Sequence, residues 1–159
     1  MPLPKAMAAE SAFPANAGLG FSYTPPPGWI IQPMPPLNAP NPYPDCNAPN
    51  QDGFVPSIHV QSVTPAITLE EFIDNFLKSA AKASKDFKKI DQSNFATDSG
   101  LDGTRIIFET TGAGYPLRGY TYFFPGKTGL WVVSCYALRE NGESTDQVLD
   151  AAMKTFTVE

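Results

Sequence analysis

The residues of this 159-residue sequence whose types could do chemistry are one histidine, two cysteines and a few nearby aspartates. His59 is the single histidine, and Asp45 and Asp52 precede it in a predicted loop. Metal sites and proton relays draw on clusters of such groups, whereas one histidine on a strand is ordinarily hydrogen-bonded or at the surface. We therefore expect no metal site and no cofactor.

The two cysteines leave two interpretations open. A disulfide between Cys46 and Cys135 would close a loop of 135 − 46 = 89 positions, and chain entropy then predicts a stabilisation of about 4–5 kcal/mol. The alternative is two free thiols, one of them packed in a strand as a small hydrophobe. A disulfide would favour a periplasmic or secreted protein, and free thiols a cytoplasmic one.

Motifs of nucleophilic or phosphate chemistry are missing. A Cys–His dyad with His59 has no flanking signature, and the sequence has no Gly-x-Ser-x-Gly elbow. Gly126-Lys-Thr lacks the upstream glycine of a phosphate-binding loop, because Thr121 stands there. We expect no catalytic residues and predict that the protein is not an enzyme.

The richest group of polar and aromatic side chains lies on or between adjacent predicted strands. Cross-strand pairing, which stabilises a sheet, is its simplest role, and a ligand or partner surface is the alternative. Together with two aromatic residues of the preceding proline-rich region, this is where we expect any binding. The residues are Trp29, Tyr43, Glu109, Tyr115, Arg118, Tyr120, Tyr122 and Arg139.

A predicted amphipathic helix over residues 68–87 organises the middle of the chain. Thr68 can cap it, and Glu71 completes a capping box. Its apolar positions recur at helical spacing and must be buried against a neighbouring surface. A second helix, with Ser144 and Gln147 as its predicted capping box, closes the chain.

Strands are predicted over residues 57–63, 88–96, 104–111, 119–124 and 130–138. Short connections make the last three antiparallel neighbours. They are apolar on both sides, so both faces of the sheet need cover. The predicted fold class is α+β, an antiparallel β-sheet sandwiched between helices.

Composition divides the chain. Residues 1–56 hold 14 of the 17 prolines. We predict a disordered arm over residues 1–19 and one domain over 20–159. That domain would begin with a hairpin of residues 21–23 and 29–32, and a proline-rich loop over 33–56 would lie over the sheet. The irregular proline spacing argues against a polyproline ligand but leaves that alternative open.

The net charge of −5 argues against nucleic acid as a partner. No apolar stretch approaches the roughly 20 residues of a transmembrane helix, and the first residues lack the apolar core of an intact secretory signal. A cluster of five lysines fits the solvated face of a helix. They are Lys78, Lys82, Lys85, Lys88 and Lys89.

The order of elements resembles the PsbP-like proteins. The resemblance rests on Phe-x-Tyr-x-x-Pro-Pro-Gly-Trp (residues 21–29), on Thr-Leu-Glu-Glu-Phe at the helix start (68–72), and on a last helix ending at Phe156. It implies an α/β/α sandwich, shared with a Ran-binding nuclear import factor and bacterial envelope proteins. It also implies an accessory or binding role and carries over no functional residue.

From these observations we expect a non-enzymatic accessory protein, exported or in a bacterial envelope, that engages a protein partner as a monomer or weak dimer. The alternative is a small-molecule carrier or weak enzyme with a cleft under the proline-rich loop.

Overall fold

The computed structural model describes residues 18–159, which form nine β-strands, two α-helices and one 3-10 turn. The predicted arm lies outside these residues except for its last two positions. The elements in chain order are β1 Phe21–Ser22, β2 Ile30–Ile31, β3 Cys46–Asn47, β4 Ser57–Val63, α1 Leu69–Ala83, β5 Lys88–Ala96, β6 Asp102–Gly112, β7 Tyr115–Pro125, β8 Leu130–Leu138, the turn Arg139–Asn141, α2 Gly142–Lys154 and β9 Thr157–Val158.

Seven of the strands form one antiparallel sheet in the order β2-β3-β4-β8-β7-β6-β5. Strands β5 to β8 follow one another as a meander because tight connections leave only antiparallel neighbours. Strand β4, which precedes α1, pairs with β8 along its whole length. The predicted fold class, α+β with an antiparallel sheet, is confirmed.

The two helices cover opposite faces of the sheet, because successive strand residues point to opposite sides. Helix α1 covers one face through Ile73, which packs with Ile106, Phe108, Phe123, Leu130 and Val132. Helix α2 covers the other face through Leu149, Ala152 and Met153, which pack with Ile107, Tyr120, Tyr122, Phe124 and Val133. The prediction that both faces need cover is confirmed.

Of the two helix starts predicted from the sequence, one is confirmed and one is wrong. The Thr68 hydroxyl accepts a hydrogen bond from the Glu71 amide (3.2 Å) and caps α1 as expected. The capping box predicted at Ser144 is wrong, since α2 begins earlier and its N-cap is Asn141. The 3-10 turn after β8 leads directly into α2, so the helix begins at Gly142, before Ser144.

The predicted N-terminal hairpin is also wrong. Strand β1 pairs with β9 at the other end of the chain, with Phe21 opposite Val158. Strand β2 pairs with β3, which lies inside the proline-rich region. Both members of the expected hairpin are two residues long, too short for alternation to specify a partner.

Of the two interpretations left open for the cysteines, the disulfide is excluded: Cys46 and Cys135 are both free and buried. Ile58 of β4 lies opposite Cys46 on one side and opposite Cys135 on the other. Two strand spacings place their Cα atoms about 10 Å apart, beyond the limit of about 7 Å for a disulfide. Because geometry alone prevents the bond, the free thiols do not report on the redox state of the compartment.

Candidate functional site

The eight predicted binding residues lie in three different places. Tyr120 and Tyr122 are buried beneath α2, each 1% exposed. Trp29 and Tyr43 belong to the apolar layer beneath the proline-rich segment. The remaining four gather at the end of the sheet where β7 begins; they are Glu109, Tyr115, Arg118 and Arg139. The structure therefore unites half of the set.

Arg118 and Tyr120 join the sheet to α2 through Asp146. Arg118 donates from Nε and Nη2 to the two carboxylate oxygens of Asp146, both at 2.8 Å. The Tyr120 hydroxyl donates to Asp146 as well and to the carbonyl of Gly142 (3.1 Å). Burial, and next the Asp146 carboxylate, raise the pKa of Tyr120, so this phenol stays a donor.

The same arrangement recurs one helical turn later. The Tyr122 hydroxyl donates to Asp150 (2.7 Å), and Arg105 pairs with Asp150 and with Asp91 (2.9 Å). Burial is the main reason that the pKa of Tyr122 lies well above its usual value. Each tyrosine thus shares a carboxylate with an arginine, and all these charges are neutralised locally.

Asp146 and Asp150 are not among the residues predicted from the sequence. The available signal is their position: with Leu149 and Met153 they occupy the stripe of α2 that faces the sheet. A carboxylate within an apolar stripe requires a partner on the surface it faces.

Three of the four gathered residues, Glu109, Arg118 and Arg139, also make ion pairs with one another. Glu109 lies 3.8 Å from Arg118 and 3.9 Å from Arg139. Arg139 also donates to the carbonyl of Thr110 (2.7 Å) and pairs with Asp86 (3.3 Å). Hydrogen bonds from Ser84 and Thr111, and then Arg139, lower the pKa of Asp86 to about 2.

Tyr115 contacts the turn at the end of the proline-rich region, with its ring 5.4 Å from that of Phe54. A cleft of about 550 Å³ opens beside Arg118 and Arg139, but Glu140 and Glu143 also line it. The cluster is therefore balanced in charge, and its contacts are those expected of cross-strand and sheet-to-helix pairing.

The proline-rich segment offers a different kind of surface. Every residue in 32–36 and in 39–44 is a proline or precedes one, which restricts both runs to extended or polyproline II conformations. A turn between them is closed by the Ala39 amide donating to the carbonyl of Pro36 (3.0 Å). We call residues 32–36 the outer run and residues 39–44 the inner run.

The inner run is fixed to the domain. The side-chain amide of Asn41 donates to the carbonyl of Val60 (3.0 Å), which covers part of the edge of β4. The Tyr43 ring contacts those of Trp131 and Phe21 at 5.3 and 5.5 Å. Tyr43 therefore anchors the segment rather than projecting from it.

A cleft of about 390 Å³ lies between the two runs and β4. Tyr43, Asp45 and His59 line it with several prolines, and Asp45 holds Nδ1 of His59 at 2.8 Å. The volume is within the range of small-molecule sites. A cleft beneath the proline-rich segment is the feature expected for the alternative function, a small-molecule carrier or weak enzyme.

Asp45, which precedes β3, is followed across the sheet by His59 of β4 and Ser134 of β8, since Ser134 lies opposite His59. In the part of the chain that the structure describes, Ser134 makes no hydrogen bond to His59. The row lacks the geometry of a nucleophilic triad. Within residues 18–159 no three histidine, cysteine or acidic side chains are grouped to hold a metal ion.

The two most exposed large apolar side chains of the described residues lie in and beside the outer run. Leu37 is fully exposed at the turn, and Met34 is 58% exposed beside it. Ile30, which precedes the proline-rich region, and Val55, which lies near its end, are each more than 40% exposed. No charged residue occurs between Glu10 and Asp45. This uncharged apolar surface differs from the ion-paired cluster at the start of β7.

Comparison with known proteins gives similarity in structure but not in sequence. No family model matches the chain, and no curated protein matches it. Cyanobacterial PsbP (CyanoP) from Synechocystis sp. PCC 6803 is similar at a TM-score of 0.65, with 13% identity and 94% of each chain covered.

Two further solved structures are similar. One is PA94 of Pseudomonas aeruginosa, a protein of unknown function, with a TM-score of 0.64, 11% identity, and 82% of this chain and 97% of PA94 covered. The other is LpqN of Mycobacterium tuberculosis, involved in cell envelope biogenesis, with a TM-score of 0.61, 15% identity, and 90% of this chain and 87% of LpqN covered. The chain has the PsbP-like fold, as the resemblance in its sequence predicted.

Neither α1 nor α2, the helices described within residues 18–159, is long and apolar enough to cross a bilayer.

Proposed function

We propose that this protein is a non-enzymatic accessory protein that binds a protein partner through the outer run and its neighbours Ile30 and Leu37. The observation that carries the proposal is the contrast between two surfaces of the molecule. The arginines of the cluster at the start of β7 are satisfied by carboxylates of the same chain, whereas the apolar side chains of the outer run are exposed. Exposed apolar patches on soluble proteins commonly mark interaction sites.

We propose that the protein is exported and acts in the cell envelope. The support is similarity in fold to LpqN, which is involved in cell envelope biogenesis. Fractionation of cells that produce the natural protein tests this location, and recovery solely in the cytosol would refute it.

Site-specific photo-crosslinking tests the binding surface. A photoreactive amino acid at position 37 should give a discrete, saturable adduct with one partner. The same amino acid at Lys82, which is exposed on the remote surface of α1, serves as the control and should give none. No adduct at position 37, or equal adducts at both positions, would overturn the proposal.

A second candidate, a carrier of small molecules, is favoured by the cleft beside Tyr43 and His59. A ligand screen by thermal shift tests it, with His59→Phe as a variant that keeps the ring but removes its hydrogen-bonding nitrogens. Hits that are lost in this variant would support the carrier. A screen without hits, or hits indifferent to the substitution, would exclude it.

A further inference from the structure

The outer run has a regular exposure pattern of period three. Gln32 and Pro35 are partly buried against the domain, while Pro33 and Met34 are exposed, as are Pro36 and Leu37 three residues later. Three residues per turn is the period of a polyproline II helix. The irregular proline spacing over residues 33–56 thus conceals one short regular stretch.

This stretch is held in place at both ends. The Gln32 amide donates to the carbonyl of Asp45 (2.8 Å), and the turn from Pro36 to Ala39 closes the other end. Because proline fixes φ and restricts the residue before it, the outer run loses little conformational freedom on binding. It presents two ridges, with Pro33 and Pro36 on one and Met34 and Leu37 on the other.

We infer that the outer run is a preformed polyproline II ligand and that the partner binds it in a groove lined by aromatic side chains. Proline rings and the apolar side chains beside them dock in such grooves. The groove would be uncharged at this position, because the run and its flanks up to Asp45 carry no charge. This inference deepens the proposed function and rests on it.

The alternative occupant of the same surface is a lipid bilayer. Binding to a membrane would depend on the apolar character of Met34 and Leu37 and not on the proline spacing. Binding in an aromatic groove requires prolines three residues apart. The exposure of Pro33 and Pro36 on one ridge favours the groove.

Competition for the Leu37 adduct tests the inference without altering the protein. The competitor is a synthetic peptide of residues 31–39, and the control is a peptide of the same composition whose prolines are no longer three apart. We expect the first peptide to lower the yield of adduct at least about fivefold at saturation, and the control peptide to have no effect, since the ridge alone carries recognition.

A matched pair of substitutions in the full chain gives an independent measurement. Pro36→Ala removes one ring of the ridge and should weaken partner binding about tenfold. Pro49→Ala removes an exposed proline of the same region outside the ridge and should leave binding unchanged.

The outcomes separate the two proposals. An adduct that neither peptide displaces would overturn the polyproline groove and leave the proposed function standing. Absence of any adduct would remove both. Sedimentation with phosphatidylcholine vesicles that is lost in Leu37→Asp would identify a membrane occupant and also overturn the groove.

Discussion

Asp146 and Asp150 are carboxylates at i and i+4 on the buried side of α2, and each joins an arginine and a tyrosine of the sheet to the helix. Burying an ion pair costs desolvation, so its net contribution to stability is small. Removing one partner is costly because the other charge then stays buried without compensation. These residues should therefore respond far more strongly to truncation than exposed charges on the same helix.

Asp146→Ala should lower the free energy of unfolding by about 3 kcal/mol. The substitution leaves Arg118, whose side chain is 15% exposed, with Glu109 at 3.8 Å as its remaining ion-pair partner in the structure. Urea denaturation of the two proteins measures the effect. Glu143→Ala, at an exposed position of the same helix, is the control and should change stability by less than about 0.5 kcal/mol. Equal losses in both variants would show that Asp146 has no special role.

The two thiols should be unreactive in the folded protein. Burial raises the pKa of the Cys46 thiol to about 12 and also raises the pKa of Cys135, and the thiolate is the reactive form. We expect intact mass to show no labels after alkylation of the native protein at pH 8. Unfolding in denaturant without reductant should then give two labels. If the unfolded protein remained unlabelled, a disulfide would be present and the strand register described here would be wrong.

At the scale of elements, the helix starts provide a matched comparison. Thr68→Ala removes the side-chain cap of α1 and should cost about 1 kcal/mol. Ser144→Ala removes a hydroxyl that donates to the carbonyl of Asn141 (3.0 Å) but is not the N-cap, and should cost less than about 0.5 kcal/mol. Thermal unfolding of both variants measures the difference. A larger loss at Ser144 would restore the capping box predicted from the sequence.

The elements that the sequence predicted well are those with a long periodic pattern. Residues 57–63, 88–96 and 130–138 match β4, β5 and β8 in both bounds, because seven to nine residues of alternation, or of continuous apolar sequence bounded by turn residues, specify a strand. The two-residue strands β1, β2 and β3 contain no such pattern. Their partners are set by tertiary packing, which explains why the hairpin prediction failed.

The candidate site was less predictable for a related reason. Tyr120 and Tyr122 could be selected from the sequence as candidate binding residues. Their hydrogen bonds to Asp146 and Asp150, however, depend on how α2 lies across the sheet. Local spacing within a strand holds no information about that placement. The period-three exposure of the outer run likewise depends on the turn at Leu37, which folds one proline-rich run over the other.

At the scale of the whole molecule, the two ends of the described chain lie together. Ser22 of β1 and Thr157 of β9 share a hydrogen bond between their hydroxyls (2.8 Å), and the Glu159 amide donates to the carbonyl of Gly20 (2.9 Å). Phe21, packed on Phe156 with ring centroids 5.6 Å apart, places this pairing against the core. The fold is thus closed by contacts between residues separated by almost the full length of the chain.

Such closure predicts that a circular permutant will fold. Residue 159 would be joined to residue 18 by a short Gly/Ser linker, and the chain opened between Ala113 and Gly114, in the exposed turn linking β6 and β7. Closing a short loop between neighbouring ends costs little entropy, so we expect a free energy of unfolding within about 1 kcal/mol of that of the linear 18–159 chain. Circular dichroism and urea denaturation measure it.

Opening the same permutant between Tyr120 and Thr121, in the middle of β7, is the matched control. It cuts the strand that carries the hydrogen bonds to α2, and it should not fold. If the permutant opened at the turn also failed while the linear chain folded, β1 and β9 would not be paired in solution. Phe21 would then be held in place by its contact with Tyr43 of the inner run and not by the pairing of β1 with β9.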